Sequence, residues 1–159
     1  ESTIMALPRV LLRKFAVTGK WAEAKRILDR DDRLKHAAIT TEWSTLLHIA
    51  AGANQFPFVD ELLKLLDDNH IALQDRKGNT ALFSAVASGN MFIVTSLVER
   101  NPRLPLIRDI NGHTPIQFAL MQGKSHMASY LYDMTKNMFD DQDKNSLFFT
   151  SIKAGHYGN

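Results

Sequence analysis

The amino-acid sequence predicts an all-α repeat solenoid with about four full helix-turn-helix repeats and a partial fifth. Residues 45–51, 80–86 and 114–120 share a Thr, an aliphatic residue two places later and an Ala at the sixth place. Their starts are 35 and 34 residues apart, and a second apolar run with helical spacing follows each of them. A regular period of this length is typical of stacked repeat proteins.

The first helix of each unit is predicted to begin at a Thr and to end at a tight turn. A Thr hydroxyl can cap a helix start, and Pro115 follows Thr114 at the first helical position, where a missing N–H costs nothing. A turn-forming residue stands nine places after each Thr. The same place extrapolates to both ends of the chain and gives Gly19, Asn54, Gly89, Gly123 and Gly155. We therefore expect five units.

The second helix of each unit is predicted to be short, with one apolar stripe. Such a helix is unstable alone in water because nucleation is costly, so the neighbouring unit must cover the stripe. The first unit lacks the Thr motif, as expected of a capping repeat. The stripes are Trp21, Ala24, Ile27 and Leu28; Phe58, Leu62, Leu63 and Leu66; Phe92, Val94, Leu97 and Val98; and Met127, Leu131 and Tyr132.

Turn residues separate the units, in DRKGNT at 75–80 and DINGHT at 109–114. Gly78 and Gly112 provide the positive φ that a tight turn needs. Trp43 occupies the same place in the preceding unit. This predicts a large aromatic ring near a finger-like turn, either packed on the neighbouring turn or available as an interface anchor.

The whole chain, residues 1–159, is assigned to one repeat domain. The boundaries are approximately 8–39 for the capping unit, then 40–74, 75–108 and 109–140, with a partial unit at 141–159. Residues 147–155 (LFFTSIKAG) are predicted to form the first helix of that fifth unit, whose second helix is missing. A half unit at the end indicates a piece of a longer protein.

The period, the Thr motif and the Asp-x-x-Gly turns together resemble ankyrin repeats. Residues 14–21 (KFAVTGKW), 40–51 (TTEWSTLLHIAA) and 73–82 (LQDRKGNTAL) resemble the N-terminal block of the plant ankyrin-transmembrane family, whose members carry a membrane-embedded PGG domain after the repeats. The resemblance implies a cytosolic arm, at the cytosolic face of a membrane in the full-length protein, linked to defence, salt-stress or cell-death signalling. Membrane contact is expected only through a segment absent from this chain.

Six histidines are the obvious candidates for metal or acid–base chemistry. None lies three to five residues from another, no cysteine is present, and nucleophile-elbow, Walker and dinucleotide-binding motifs are missing. We therefore expect no catalytic residue, no metal and no cofactor. His48 is interpreted as a structural hydrogen-bonding residue at a helix start, a role that Phe83 and Gln117 should lack at the same place. His113 is expected to be an exposed turn residue.

Composition narrows the class of partner. The 159 residues are 45% apolar and 23% charged, which excludes a disordered or collagen-like chain. Nineteen Lys and Arg against 17 Asp and Glu leave a net charge of +2, far below the excess typical of nucleic-acid-binding domains. No stretch approaches the roughly 20 apolar residues of a membrane span. A protein partner is the expectation that remains.

In ankyrin stacks the turn tips and the exposed side of the first helices form an extended concave surface. We expect a protein partner on this concave groove or on the finger tips. The middle of the surface is modestly basic, with Glu42 at one end, which favours an acidic or mixed-charge segment. The predicted partner-binding residues are Thr41, Glu42, Trp43, Ser44, Arg76, Lys77, Asn79, Ile110, Asn111, His113, Met121 and Gln122.

The leading hypothesis is thus a non-catalytic protein-interaction module. The alternative is a small-molecule-sensing regulatory domain, with an apolar ligand in a pocket between repeats near Trp43, Phe83 and Met121. Most aromatic and Met residues of this chain fall in helical stripes, where core packing is the ordinary explanation. Thermal shifts with metabolites, compared with capture of a protein partner, would separate the two hypotheses.

Overall fold

The computed structural model describes residues 2–138, and the predicted all-α solenoid is confirmed there. Each full unit is a helix, a tight turn and a second helix running back, and the described residues contain no β-strand. The helices are α1 (Ser2–Thr18), α2 (Trp21–Arg30), α3 (Leu46–Gly52), α4 (Phe56–Leu63), α5 (Asp68–Ile71), α6 (Ala81–Ser88), α7 (Met91–Arg100), α8 (Pro115–Met121) and α9 (Ser125–Thr135).

The helices form two layers. The first helices α1, α3, α6 and α8 stack in chain order, and the second helices α2, α4 and α7 stack beside them. Helix α9 packs mainly on α8 and on a short 3₁₀ helix at Leu104–Leu106. Six of the eight side chains of α6 are apolar, which fits a helix covered by α3, α7 and α8 at once.

The core is a continuous ridge shared between neighbouring units. Phe58, Leu62 and Leu63 of α4 are buried, and so is Leu66 just after the helix, as the predicted stripe requires. The stripe prediction is wrong for Phe92, whose side chain is 73% exposed. In α7 the buried positions are 93, 94, 97 and 98, and residue 92 lies about 100° outside that arc.

Tyr132 is a second error of the same kind. The stripe of α9 includes Met127 and Leu131, which are buried, whereas Tyr132 is 38% exposed. It follows Leu131 by one residue and therefore points about 100° away around the helix. A periodic pattern locates the centre of a helical stripe better than its margins.

Two sets of left-handed turns repeat with the helices. Gly19, Asn54, Gly89 and Gly123 follow the first helices with φ between 64° and 74°, which confirms the predicted tight turns. Trp43, Gly78 and Gly112 have φ of 65°, 78° and 83° at the turns before α3, α6 and α8. Trp43 therefore has the backbone conformation of the glycines whose place it takes.

The predicted partial unit at 141–159, with its helix at 147–155 and Gly155, lies outside the described residues. The repeat boundaries stay a prediction. Within residues 2–138, no helix has both the length and the apolar character needed to cross a lipid bilayer.

Candidate functional site

Three tight turns, which we call fingers 1, 2 and 3, precede helices α3, α6 and α8. They comprise residues 40–44, 75–79 and 109–113. Each is closed by a hydrogen bond from the left-handed residue to the first residue of the turn: Trp43 N to Thr40 O at 3.0 Å, Gly78 N to Asp75 O at 2.9 Å and Gly112 N to Asp109 O at 3.0 Å. The fingers are thus copies of one turn.

A side chain at the start of each finger holds it internally. The Asp75 carboxylate accepts hydrogen bonds from the backbone N–H groups of Lys77 at 2.8 Å and Asn79 at 3.0 Å. Asp109 makes the equivalent pair in finger 3. In finger 1 the Thr40 hydroxyl accepts from the N–H of Ser44 at 3.1 Å. Because the first side chain of each finger is used in these internal hydrogen bonds, the side chains at the tip of the finger are the ones that face outward.

Backbone hydrogen bonds join the fingers into a row. The N–H of Arg76 donates to the carbonyl of Glu42 at 3.0 Å, and the N–H of Ile110 donates to that of Lys77 at 2.8 Å. A side-chain bond adds to them, because Nε2 of Gln74 donates to the carbonyl of Arg108 at 3.1 Å. Because these contacts repeat with the units, the three tips form one continuous surface.

His48 ties α3 to finger 2. Its Nδ1 accepts from the N–H of Thr45 at 3.2 Å, so its Nε2 carries the proton and donates to the carbonyl of Asn79 at 2.8 Å. The side chain is buried, and that burial lowers the pKa of the imidazole. The predicted structural role of His48 at a helix start is confirmed.

The same place is filled differently in the next two units. From the sequence, Gln117 is predicted to lack the hydrogen-bonding role of His48. This is wrong for the bond that caps the helix start, because the side-chain amide oxygen of Gln117 accepts from the N–H of Thr114 at 2.9 Å. Phe83 cannot accept a hydrogen bond; it packs against Phe118 with ring centroids 5.4 Å apart. The N–H of Phe83 donates to the Thr80 carbonyl at 3.1 Å, and the Thr80 hydroxyl is buried with no hydrogen-bond partner.

The sequence leaves open whether Trp43 packs on the neighbouring turn or is available as an interface anchor, and the structure shows a Trp that does both in part. The guanidinium of Arg76, from finger 2, lies 4.9 Å from the Trp43 ring centroid, so the ring does contact the neighbouring finger. The side chain is nevertheless 54% exposed. The contact orients the ring, and the remaining surface is open to a partner.

The predicted site residues divide into a finger group and a helix-end group. Ser44, Asn79 and His113 are part-buried, whereas the others are exposed. His113 lies in its turn as predicted but is part-buried instead of exposed, with Nδ1 3.6 Å from the Asp109 carboxylate. The structure brings the finger residues into one row. Met121 and Gln122 lie at the end of α8, about 10 Å along that helix from finger 3.

The sequence pattern places Phe92 in a buried stripe, but its side chain is on the surface. Phe92 lies against Phe56, with ring centroids 5.8 Å apart, at the starts of α7 and α4. The sequence carried a weak signal for this exposure. Ile93, Val94, Leu97 and Val98 already complete a helical stripe without residue 92.

Other chemistry is sparse in the described part of the chain. Within residues 2–138 no three His, Asp or Glu side chains are grouped so that they could hold a metal ion. His36 and His70 form a stacked pair of imidazoles, with ring centroids 4.0 Å apart. The pocket alternative gains no support, because Phe83 is buried in the core while Trp43 and Met121 are exposed.

Comparison with known proteins agrees with this geometry. Residues 22–106, more than half of the chain, match the family described as ankyrin repeats (3 copies). The chain is 33% identical over 132 residues, 83% of its length, to Interferon antagonist OPG039 of Monkeypox virus. It is 36% identical over 111 residues, 69% of its length, to Interferon antagonist OPG040 of Vaccinia virus (strain Western Reserve). It spans 41% and 38% of these two relatives.

A solved structure shows the same fold. The chain is similar, with a TM-score of 0.69 and 24% identity, to a chain in the crystal structure of the yeast ribosomal protein Rps3 in complex with its chaperone Yar1. The similarity covers 77% of this chain and 89% of that one.

Proposed function

Because the chain belongs to the ankyrin-repeat family, we propose that it is a non-catalytic protein–protein interaction module whose partner lies on the finger tips and the adjoining concave groove. Ankyrin repeats use the extended surface of the stack for binding. The similar solved structure is a complex of two proteins, which supports a protein as the partner. The predicted site residues, from Thr41 to Gln122, are the proposed contact surface.

The conformation of Trp43 is the observation that carries this proposal. A left-handed backbone costs a non-Gly residue about 1–2 kcal/mol. An exposed cation–π contact, such as that with Arg76, returns about 0.5–1 kcal/mol. Trp43 thus occupies a strained place where fingers 2 and 3 have Gly, and its ring contacts Arg76 while about half of the side chain stays exposed. A half-exposed, oriented aromatic ring is the type of residue that dominates protein interfaces.

The charges at the fingers favour an acidic segment. Arg76 and Lys77 are exposed, and no Asp or Glu of residues 2–138 lies within 4.0 Å of either cation. Glu42 stands at one end of the row, in finger 1 next to Arg76. A segment with carboxylates near its centre complements this pattern, mainly by raising the association rate.

The test of this proposal replaces Trp43, Arg76 and Lys77 together and measures the affinity for bound peptides. Peptides that bind the chain are selected from a random display library and measured by fluorescence anisotropy. We expect selected binders to be rich in Asp and Glu around an apolar residue. The Trp43→Ala, Arg76→Ala and Lys77→Ala triple variant should lose at least about 100-fold in affinity, since hot-spot truncations each cost 1 kcal/mol or more.

A matched control changes an aromatic, an Arg and a Lys elsewhere. Tyr132, Arg103 and Lys136 are all exposed and lie away from the fingers. Their triple Ala variant should bind normally, and both variants should keep a melting temperature close to the parent. Unchanged affinity in the finger variant would remove the site from the fingers and direct attention to the second-helix face.

The cellular setting is also part of the proposal. The resemblance of residues 14–21, 40–51 and 73–82 to the plant family supports a cytosolic arm, tethered to a membrane by further chain and acting in defence or stress signalling. The sequence of the parent protein tests this part separately. Apolar runs of about 20 residues after the repeats are expected, and their absence would remove the tether without affecting the binding surface.

A further inference from the structure

A second surface lies between the second helices α4 and α7, away from the fingers. It is a shallow groove of about 340 Å³ lined by Asp60, Leu63, Lys64, Ser96, Glu99 and Arg100. Leu63 is the buried floor, and the charged side chains on its two walls are exposed. No predicted site residue takes part in it.

An aromatic pair stands at one end of this groove. Phe56 precedes Asp60 by four residues on α4, and Phe92 precedes Ser96 by four on α7, so each aromatic lies on the groove-facing side one turn earlier. Their rings are in contact, and Phe92 is the most exposed large hydrophobic residue of the described chain. We call this combination of groove and aromatic pair the α4–α7 surface.

The groove cations are neutralised within the chain. Lys64 donates to Glu61 at 2.9 Å, and this hydrogen bond is the main reason that the pKa of Lys64 is raised, with a smaller effect from Asp60. Arg100 pairs with Asp68 at 2.6 Å and also donates to the Leu66 carbonyl.

The groove carboxylates are different. Asp60 and Glu99 have no Lys, Arg or His nitrogen within 4.0 Å among residues 2–138. The groove thus presents two carboxylates without a cation partner in the described part of the chain, beside an aromatic pair in which Phe92 is exposed and Phe56 is part-buried.

We propose that the α4–α7 surface docks a basic segment of a partner protein. An aromatic or branched apolar side chain of that segment lies against Phe56 and Phe92, and its flanking Lys or Arg residues pair with Asp60 and Glu99. Charge complementarity specifies the occupant. An acidic segment would be repelled by Asp60 and Glu99 at this surface, whereas the fingers favour an acidic segment. The chain then has two docking surfaces of opposite preference.

The test uses two fluorescein-labelled peptides that differ only in charge. One contains Leu and Phe flanked by Lys, and the other has Glu at every Lys position. We expect the basic peptide to bind with a salt-dependent affinity, although the chain itself carries a net charge of +2. Phe92→Ala and the Asp60→Asn, Glu99→Gln pair should each weaken it about tenfold. These residues are exposed, so the variants should stay folded.

Matched controls separate this surface from the fingers. Trp43→Ala should leave the affinity for the basic peptide unchanged, and so should Tyr132→Ala, which removes an exposed aromatic from α9. The proposal is overturned if the acidic peptide binds equally well, or if neither α4–α7 variant changes the affinity. It is also overturned if sedimentation shows a dimer that Phe92→Ala abolishes, because the occupant would then be a second copy of the chain.

Discussion

At the scale of single residues, one place in the repeat has three different chemical solutions. His48 bonds both its own helix start and the next finger, and Gln117 shows the bond to its own helix start within residues 2–138. Phe83 replaces both by ring packing. The third solution leaves the Thr80 hydroxyl buried and unpaired, which costs free energy without any compensating hydrogen bond.

Thr80 should therefore tolerate loss of its hydroxyl. We expect Thr80→Val to leave the free energy of unfolding unchanged or to raise it by up to about 1 kcal/mol, because the buried group has no partner. Thr45→Val and Thr114→Val should each lower it by about 1 kcal/mol, since both hydroxyls cap a helix. Urea unfolding of the three variants measures this, and a loss for Thr80→Val equal to the other two would contradict it.

At the scale of elements, the fingers are rigid because backbone groups of one finger bond the next. Their spacing leaves little room at finger 2. A Cβ built on Gly78 would lie 2.6 Å from the Ile110 nitrogen and 3.0 Å from the Asp109 carbonyl carbon, both backbone atoms. Among residues 2–138, a Cβ on Gly112 would meet nothing within 4 Å. Gly78 is needed for close approach as well as for its positive φ, whereas within this part of the chain Gly112 is needed for its φ alone.

This difference predicts unequal costs for the same substitution. Gly112→Ala should lower the free energy of unfolding by about 1–2 kcal/mol through the left-handed backbone. Gly78→Ala should cost clearly more, about 3 kcal/mol, because finger 3 must move and lose its hydrogen bond to Lys77. Thermal or urea unfolding compares them, and equal losses would show that the fingers are not held at this distance.

At the scale of the whole molecule, stability depends on contacts between neighbouring repeats. The first helices stack in a continuous layer, and polar links such as His48 to Asn79 add to it. In such a stack each repeat is stabilised by its neighbours rather than by one central core. A group that protonates between two repeats therefore affects the stability of the whole chain.

The pH dependence of that stability is expected to include His48. Burial lowers its pKa below the unfolded value of about 6.5, so the unfolded chain binds a proton first as the pH falls. The contribution of neutral His48 is fully present above about pH 6.5 and is lost as the pH falls through the folded-state pKa. One proton changes the slope by at most about 1.4 kcal/mol per pH unit.

His48→Gln provides the matched variant, because Gln makes the same cap at residue 117. Its free energy of unfolding should be lower by about 1 kcal/mol at pH 7.5, through loss of the bond to Asn79, and should fall less steeply toward pH 5. Urea titrations across this pH range measure both effects. Parallel curves for the two proteins would assign the pH dependence to other groups.

Much of this molecule follows from local patterns in the sequence. The 34- to 35-residue period, the Thr caps and the positive-φ places are each read from residue types at fixed spacing, and Trp43 was placed at a finger tip in this way. These features depend on backbone sterics and on hydrogen bonds within a few residues. They can therefore be predicted from one repeat, and their recurrence in the next repeat supports the prediction.

The tertiary structure decides which side chains meet, and which stay exposed, where one repeat packs on the next. The contact of Arg76 with the Trp43 ring, the exposure of Phe92 beside Phe56 and the unpaired carboxylates of the α4–α7 surface all depend on how far one repeat is rotated and shifted against its neighbour. That offset results from side-chain packing along the whole stack. Local spacing identifies a helical stripe, but only the stacked neighbours determine which of its margins stays exposed.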